Sequence, residues 1–237
     1  MWVGSGTVPG RARLLTTLWY PSLNAGPRRD AARPDIVVLH YTAMTSAEAA
    51  CDWLCNTESQ VSAHYVISEA GIVWQLVDEA DRAWHAGAGR WGAVTDVNSR
   101  SIGIELANTG TQPFSEPQMA RLETLLSNIL QRWQIPPERV IAHSDLAPTR
   151  KFDPGPRFDW RRLALRDLSV WPQLSTSGDF ARDAQIFGYG PQSDGDILLA
   201  AFRSRFRPWA TGPLDDTDRA LMADLANRYP NPDRPAI

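Results

Sequence analysis

Hydrophobic and polar positions follow two different periods along the chain, and together they predict strands interleaved with helices. Continuous apolar runs at 35–41 and 101–106 indicate strands that are buried on both faces. Two shorter runs, 64–67 and 72–77, lie on either side of a turn that contains Gly71, which predicts a β-hairpin. A third buried strand is predicted at 140–142, just before His143.

Capping signals and apolar spacing predict the helices between these strands. Thr45 or Ser46 can cap a helix that runs through Asn56. Ser115 opens a capping box with Gln118, and the helix that follows carries an apolar stripe. The stripe consists of Met119, Leu122, Leu125, Leu126, Ile129 and Trp133. A further helix is predicted from about 158 to 168.

This alternation predicts an α/β (α+β) fold with a mixed central β-sheet flanked by helices. We expect an irregular N-terminal arm at 1–34, a sheet domain at 35–170, and a small three-helix domain at 179–237 after a Pro- and Ser-containing linker. The three helical patterns of the last segment cover 179–187, 194–206 and 215–229.

Composition and charge narrow the class of protein. The chain has 237 residues, of which 43% are hydrophobic and 22% charged, so it can bury a substantial core. A net charge of −3 gives no basic surface for nucleic acid, which we exclude as a partner. No apolar stretch is long enough to predict a transmembrane segment. The oligomeric state is not predicted.

The two cysteines and the first residues bear on the compartment. Cys51 and Cys55 are four residues apart on one face of a predicted helix, so we expect free thiols, which slightly favours a reducing compartment. The start of the sequence lacks the pattern of a secretory signal peptide. A cytoplasmic location is therefore favoured, with a periplasmic or envelope-associated location as the alternative.

Three side chains form a candidate metal site. His40 ends the first predicted strand and His143 follows the last one, while Asp153 lies in a loop stiffened by prolines. Two histidines and one carboxylate, with a fourth position left for water, are typical of catalytic zinc. Spacing alone leaves ordinary structural histidines as an equally good explanation.

Five sequence blocks, in order, carry a resemblance to a known family. They are IVVLHYTA (36–43), SAHYVI (62–67), AWHAG (83–87), SIGIELAN (101–108) and HSDLAPTRKFDPGP (143–156). Residues 33–168 resemble the zinc N-acetylmuramoyl-L-alanine amidases of the AmpD/AmiD type, which are related to peptidoglycan recognition proteins. Residues 179–230 resemble the three-helix peptidoglycan-binding domain of AmiD-like members.

The resemblance implies a set of residue roles. His40, His143 and Asp153 would bind one Zn²⁺ per chain, with Glu105 and Lys151 as catalytic residues. The implied reaction cuts the amide bond between N-acetylmuramic acid, or its 1,6-anhydro form, and L-alanine of the stem peptide in cell-wall turnover or recycling. Peptidoglycan or a muropeptide would be the partner.

Other readings stay open at this point. A recognition protein could bind muropeptides without cutting them, and a lysin directed at other cells would use the same chemistry. Glu105 could be a solvated strand-end carboxylate, and Lys151 an ordinary surface lysine.

Five more residues are predicted to contact substrate: Tyr41, His64, His85, Trp91 and Asn98. For the two histidines, structural hydrogen bonding is an equally good alternative. For Trp91, packing in the core is at least as good an explanation as stacking on a sugar.

Overall fold

The computed structural model describes residues 16–191 and 194–233. The strands are β1 (Thr17–Trp19), β2 (Ala25–Pro27), β3 (Ile36–Tyr41), β4 (Tyr65–Ile67), β5 (Val73–Gln75), β6 (Asp81–Ala83), β7 (Ser101–Leu106) and β8 (Val140–Ala142). The helices are α1 (Ala47–Cys55), α2 (Val97–Arg100), α3 (Glu116–Trp133), α4 (His143–Leu146), α5 (Trp160–Ala164), α6 (Phe180–Phe187), α7 (Gly195–Phe206) and α8 (Asp216–Arg228).

Six strands form the central sheet in the order β1-β5-β4-β7-β3-β8, and β2 pairs with β6 beside it. The sheet is mixed: β4, β7, β3 and β8 are mutually parallel, while β5 runs antiparallel to β4 in the predicted hairpin. The predicted mixed sheet flanked by helices is confirmed. Because β3, β7 and β8 are parallel neighbours, their carboxyl ends meet at one edge of the sheet.

The two faces of the sheet pack against different helices. Val37 and Leu39 of β3 point into a core that contains the apolar stripe of α3, including Leu122. The alternate residues Ile36 and Val38 point to the opposite face. All four strand residues are fully buried, as the continuous apolar run predicted.

The three C-terminal helices share a core with the sheet. Ile36 and Ile141 belong to the same buried apolar cluster as Phe187, Phe202 and Phe206 from α6 and α7. The helices α6, α7 and α8 lie within the predicted helical patterns. They therefore cover one face of the sheet, although whether they act as a separate domain stays a prediction.

The N-terminal segment corrects one expectation. Within the predicted irregular arm, residues 17–19 form β1 along β5, and residues 25–27 form β2 along β6. Both strands have three residues and no alternating burial, so local periodicity does not reveal them. The rest of that prediction, residues 1–15, lies outside the described residues, as do 234–237 of the C-terminal domain.

Two smaller features also bear on the predictions. The helix expected at 158–168 spans only Trp160–Ala164 and continues as turns. Cys51 and Cys55 are free thiols, and burial raises the pKa of Cys51 to about 12. Within the described ranges, no helix combines the length and the apolar character needed to cross a bilayer.

Candidate active site

The structure brings His40, His143 and Asp153 together at the carboxyl edge of the sheet. Leu39 of β3 pairs with Ala142, the last residue of β8, so the residues that follow them, His40 and His143, place their imidazoles at the same level. The Nδ1 atoms of the two histidines are 2.9 Å apart. Asp153 Oδ2 lies 2.9 Å from His40 Nδ1 and 3.0 Å from His143 Nδ1. All three residues are buried.

The hydrogen bond made by Nε2 of His143 determines that Nδ1 is the nitrogen available to bind a metal. Its Nε2 lies 2.9 Å from the Ala86 carbonyl oxygen, which can only accept, so Nε2 carries the hydrogen and Nδ1 presents a lone pair. Burial raises the pKa of Asp153, but its contacts with His143 and His40 outweigh this and hold it well below the usual range. His143 therefore directs the lone pair of its Nδ1 toward the carboxylate of Asp153.

His40 completes the group as a neutral ligand. Burial and the neighbouring His143 lower the pKa of His40 to about 4, so the ring is uncharged at neutral pH. Three lone-pair donors converging within about 3 Å suit a cation better than any hydrogen-bonding pattern. The group can therefore hold a metal ion.

Glu105 lies beside this group with an unusual lack of partners. It is the register partner of His40 in the adjacent strand β7, so both side chains point to the same face of the sheet. Its Oε2 atom is buried and has no hydrogen-bond partner among the described residues. Burial, with a smaller contribution from Asp153, raises the pKa of Glu105 to about 8. Such a carboxyl group is suited to moving a proton.

A cavity of about 440 Å³ opens over the metal-binding group. His40, Tyr41, His85, Glu105, Lys151 and Asp153 are among the residues that line it. Lys151 is half-buried, and in the described part of the chain its side chain makes no hydrogen bond or ion pair. Its ammonium group is therefore available to a ligand in the cavity.

Three residues predicted to contact substrate are placed elsewhere. His64 is fully buried beneath the cavity, where its Nδ1 accepts from the Gly103 amide and its Nε2 contacts the Asp81 carbonyl at 3.1 Å. Trp91 packs against Phe187 and Tyr189 in the core that the sheet shares with the C-terminal helices.

Asn98 is the third of these residues. Its Oδ1 accepts from the backbone amides of His85 and Ala86, at 3.0 Å and 2.8 Å, so it shapes the loop rather than the cavity. His64, Trp91 and Asn98 make structural contacts and are not among the residues that line the cavity, so their expected substrate contacts stay a prediction. Tyr41 and His85 do line the cavity.

The structure adds lining residues that the sequence prediction missed. Trp53, Arg150 and Phe152 border the cavity, and Phe152 is 71% exposed. Arg150 donates to the carbonyls of Ala86 and Ala88 and so holds the loop that carries His85. Trp53 could have been found from the sequence, because it lies outside the apolar stripe of α1. Its side chain is half exposed.

The cavity is open and contains two imidazoles, a carboxylate and an adjacent group that can transfer a proton. This set of groups is typical of a hydrolase that uses a metal-bound water. The N-acetylmuramoyl-L-alanine amidase family (Amidase_2) matches residues 30–156, more than half of the chain. The chain belongs to this amidase family. The resemblance seen in the sequence is thereby confirmed.

Individual relatives agree with this membership. The chain is 34% identical to the N-acetylmuramoyl-L-alanine amidase AmiD of Escherichia coli over 234 residues, covering 83% of this chain and 84% of AmiD. It is 31% identical to the 1,6-anhydro-N-acetylmuramyl-L-alanine amidase AmpD of Enterobacter cloacae, covering 67% of this chain and 90% of that protein. These relatives are bacterial.

Two solved structures share the fold with bound ligands. Escherichia coli AmiD in complex with anhydro-N-acetylmuramic acid-L-Ala-D-γ-Glu-L-Lys superposes with a TM-score of 0.76 at 33% identity, covering 88% of this chain and 92% of that one. AmpDh3 of Pseudomonas aeruginosa, in complex with an anhydromuramic pentapeptide, also gives 0.76, at 32% identity, with 84% and 93% covered.

Proposed function

We propose that this chain hydrolyses the amide bond between N-acetylmuramic acid, or its 1,6-anhydro form, and L-alanine of the stem peptide, in peptidoglycan turnover or recycling. The observation that carries the proposal is the group of His40, His143 and Asp153 in one open cavity with Glu105, whose Oε2 has no hydrogen-bond partner among the described residues. Membership of the amidase family and the anhydromuropeptides bound to AmiD and AmpDh3 support the choice of substrate.

We propose Zn²⁺ as the metal. Tetrahedral zinc with bonds of about 2.0–2.1 Å to nitrogen and oxygen places its ligand atoms roughly 3.3 Å apart. The three ligand atoms here are separated by 2.9–3.0 Å, and two nitrogens with one oxygen suit zinc. When bound, the ion would lower the pKa of a water ligand and polarise the substrate carbonyl.

Glu105 would move the proton that hydrolysis requires. Glu105 lines the cavity, and its Oε2 has no hydrogen-bond partner in the described part of the chain, so the carboxylate can accept a proton from the attacking water. The pKa of about 8 is that of the metal-free chain, and a positive charge nearby lowers it toward neutrality. Glu105 can then return the proton to the departing nitrogen of L-alanine.

Lys151 would stabilise the negative charge that develops on the carbonyl oxygen. Its ammonium group borders the cavity and has no competing partner in the part of the chain described. A fixed positive charge at that point contributes more in the transition state than in the ground state. Tyr41 on the same rim would help to enclose the substrate.

The alternative, a muropeptide-binding protein without activity, is separated from the enzyme by one experiment. Purified protein is incubated with anhydro-N-acetylmuramyl-L-Ala-γ-D-Glu-L-Lys and a molar equivalent of zinc, and the products are measured by mass spectrometry. We expect free anhydro-N-acetylmuramic acid and a tripeptide that begins with L-alanine. An intact substrate that nevertheless co-elutes with the protein would support the binding protein instead.

We also propose that the three C-terminal helices help to hold larger peptidoglycan fragments. A second cavity of about 960 Å³ lies between the Asp153 loop and α7, and Lys151 and Phe152 line both cavities. A substrate that extends beyond the catalytic cavity can therefore continue across Phe152 into this groove.

Ala200 offers a test of that groove. It is exposed on α7 and lines the groove away from the metal-binding group, so Ala200→Arg fills space without touching the catalytic residues. We expect turnover of peptidoglycan sacculi to fall about tenfold, while turnover of the small anhydro-muropeptide is unchanged. Equal rates on sacculi for both proteins would exclude a role for the groove.

A further inference from the structure

His85 links the metal-binding group to the strand beneath it. Its Nδ1 lies 3.1 Å from His40 Nε2, and its Nε2 lies 3.1 Å from the hydroxyl oxygen of Ser101. That hydroxyl in turn lies 2.6 Å from the carbonyl oxygen of Val97. Four polar groups thus form one continuous chain, from a backbone carbonyl to a metal-ligand imidazole.

The backbone carbonyl of Val97, at one end of this series of polar groups, sets the direction of every hydrogen bond in it. The Val97 carbonyl can only accept, so the Ser101 hydroxyl donates to it. Ser101 Oγ is then left as an acceptor for the hydrogen on Nε2 of His85. A neutral His85 therefore presents an acceptor Nδ1, and His40 must donate its Nε2–H. The remaining nitrogen of His40, Nδ1, keeps the lone pair that points to His143 and Asp153.

We propose that His85 and Ser101 form a relay that fixes His40 in the tautomer and orientation needed to bind the metal. His85 is then a positioning residue for the metal ligand. This inference rests on the proposed zinc function. It gives His85, in the AWHAG segment, the role of positioning His40, which the proposed reaction alone does not assign to it.

The fold builds a slot for this one ring. A Cβ atom at Gly103 would lie 2.4 Å from His85 Cγ, so only glycine at that position of β7 lets the ring lie against the strand. Asn98 holds the backbone of His85 from the other side, because its Oδ1 accepts the backbone N–H of His85. Two separate features therefore fix the place of His85.

The two metal-ligand histidines are oriented by different means. His143 donates directly to a backbone carbonyl, that of Ala86, which no substitution removes. His40 depends on the side chains of His85 and Ser101, which substitutions can remove. Partners of this kind typically change metal affinity by about 10- to 100-fold. His40 should thus be the ligand whose geometry mutation can disturb selectively.

Ser101→Ala tests the relay. Without the hydroxyl, His85 can place its proton on Nδ1 and donate to His40, which leaves the lone pair of His40 on the wrong nitrogen. We expect the zinc dissociation constant, measured by chelator competition, to rise about tenfold or more. Ser99→Ala is the matched control, because Ser99 is also buried but bonds to Asp96 and Arg29 instead, and it should bind zinc like the wild type.

A spectroscopic readout separates positioning from general loss of structure. The chain has only four histidines, so ¹⁵N spectra of the ring nitrogens resolve the tautomer of His40 in metal-free protein. We expect the proton on Nε2 in the wild type and a shift of population to Nδ1 in Ser101→Ala. Should that variant not fold, the wild-type spectrum alone decides, and a proton on Nδ1 of wild-type His40 overturns the relay.

The outcomes also separate this inference from the proposed function. Normal zinc binding and an unchanged His40 tautomer in Ser101→Ala would overturn the relay and leave the amidase proposal intact. A wild-type chain that binds no zinc would overturn the zinc proposal, while the spectrum of the metal-free protein would still report the relay. Gly103→Ala, which removes the slot, should weaken zinc binding in the same direction.

Discussion

At the residue scale, the buried Glu79 and the partly buried Glu105 show the difference between a structural carboxylate and one that is suited to catalysis. Glu79 accepts hydrogen bonds from Tyr65, Arg132 and Trp133, whereas Glu105 leaves one oxygen without a partner among the described residues. Burial raises the pKa of both, but the partners of Glu79 outweigh it and lower its pKa, while that of Glu105 rises to about 8. An unsatisfied carboxylate of this kind costs stability and is retained for a task.

Glu105→Gln tests that task. The amide has nearly the same shape but cannot carry a proton, so we expect turnover of the anhydro-muropeptide to fall by about 10²- to 10⁴-fold. Zinc content should be unchanged, and thermal stability should be equal or higher because a carboxyl group with an unpartnered buried oxygen is replaced by an amide that is always neutral. Activity close to that of the wild type would show that the proton moves through another group.

Some features of individual residues could be predicted from the sequence and others could not. The places of His40, His143 and Asp153, at strand ends or in a proline loop, follow from local pattern, but their role as metal ligands was implied only by the resemblance to the amidase family. The packing of Trp91 could not be predicted, since its ring partners Phe187 and Tyr189 come from the C-terminal segment. Burial by distant chain is not visible in local sequence.

At the scale of elements, the parallel strands β3, β7 and β8 position the residues of the site, and α3 packs against one face of the sheet. The pairing of His40 with Glu105, and of Leu39 with Ala142, follows from register. Apolar runs predicted these strands, but not the order β1-β5-β4-β7-β3-β8, because strand pairing is decided by long-range packing. The short β1 and β2 were missed for the same reason.

Glu79 fastens the end of α3 to β4, and its substitution gives a prediction about pH. The folded-state pKa of Glu79 is lowered, so its contribution to stability is complete above the unfolded value of about 4.3 and is lost as pH falls through the folded value. Glu79→Gln should reduce the free energy of unfolding by about 2 kcal/mol at pH 7. Urea denaturation should show this difference shrinking below about pH 4; a difference independent of pH would contradict the assignment.

At the scale of the whole molecule, the C-terminal helices are joined to the metal site by a buried ion pair. Asp145 lies two residues after His143 in α4, and its Oδ2 accepts from Arg205 of α7 at 2.5 Å. Both side chains are at most 1% exposed, and Tyr189 donates to the other oxygen of Asp145. The three helices could be predicted from sequence, but their shared core with the sheet could not, because it joins segments far apart in the chain.

Arg205→Met tests this connection. It leaves Asp145 buried without its cation, so we expect a loss of about 3–5 kcal/mol in the free energy of unfolding, together with weaker zinc binding through His143. Arg203→Met is the matched control, since its buried partner Asp218 lies within the three helices. That variant should lose stability but bind zinc normally. Equal zinc affinity for both variants would show that the ion pair between Asp145 and Arg205 does not affect zinc binding.

Metal analysis of the purified chain tests the central claim most directly. We expect one zinc per wild-type chain and none in His40→Ala, with hydrolysis lost on chelation and restored by one molar equivalent of zinc. The group formed by His40, His143 and Asp153 accounts for that stoichiometry. Full hydrolysis of the anhydro-muropeptide by a metal-free chain, or zinc retained in His40→Ala, would contradict the account.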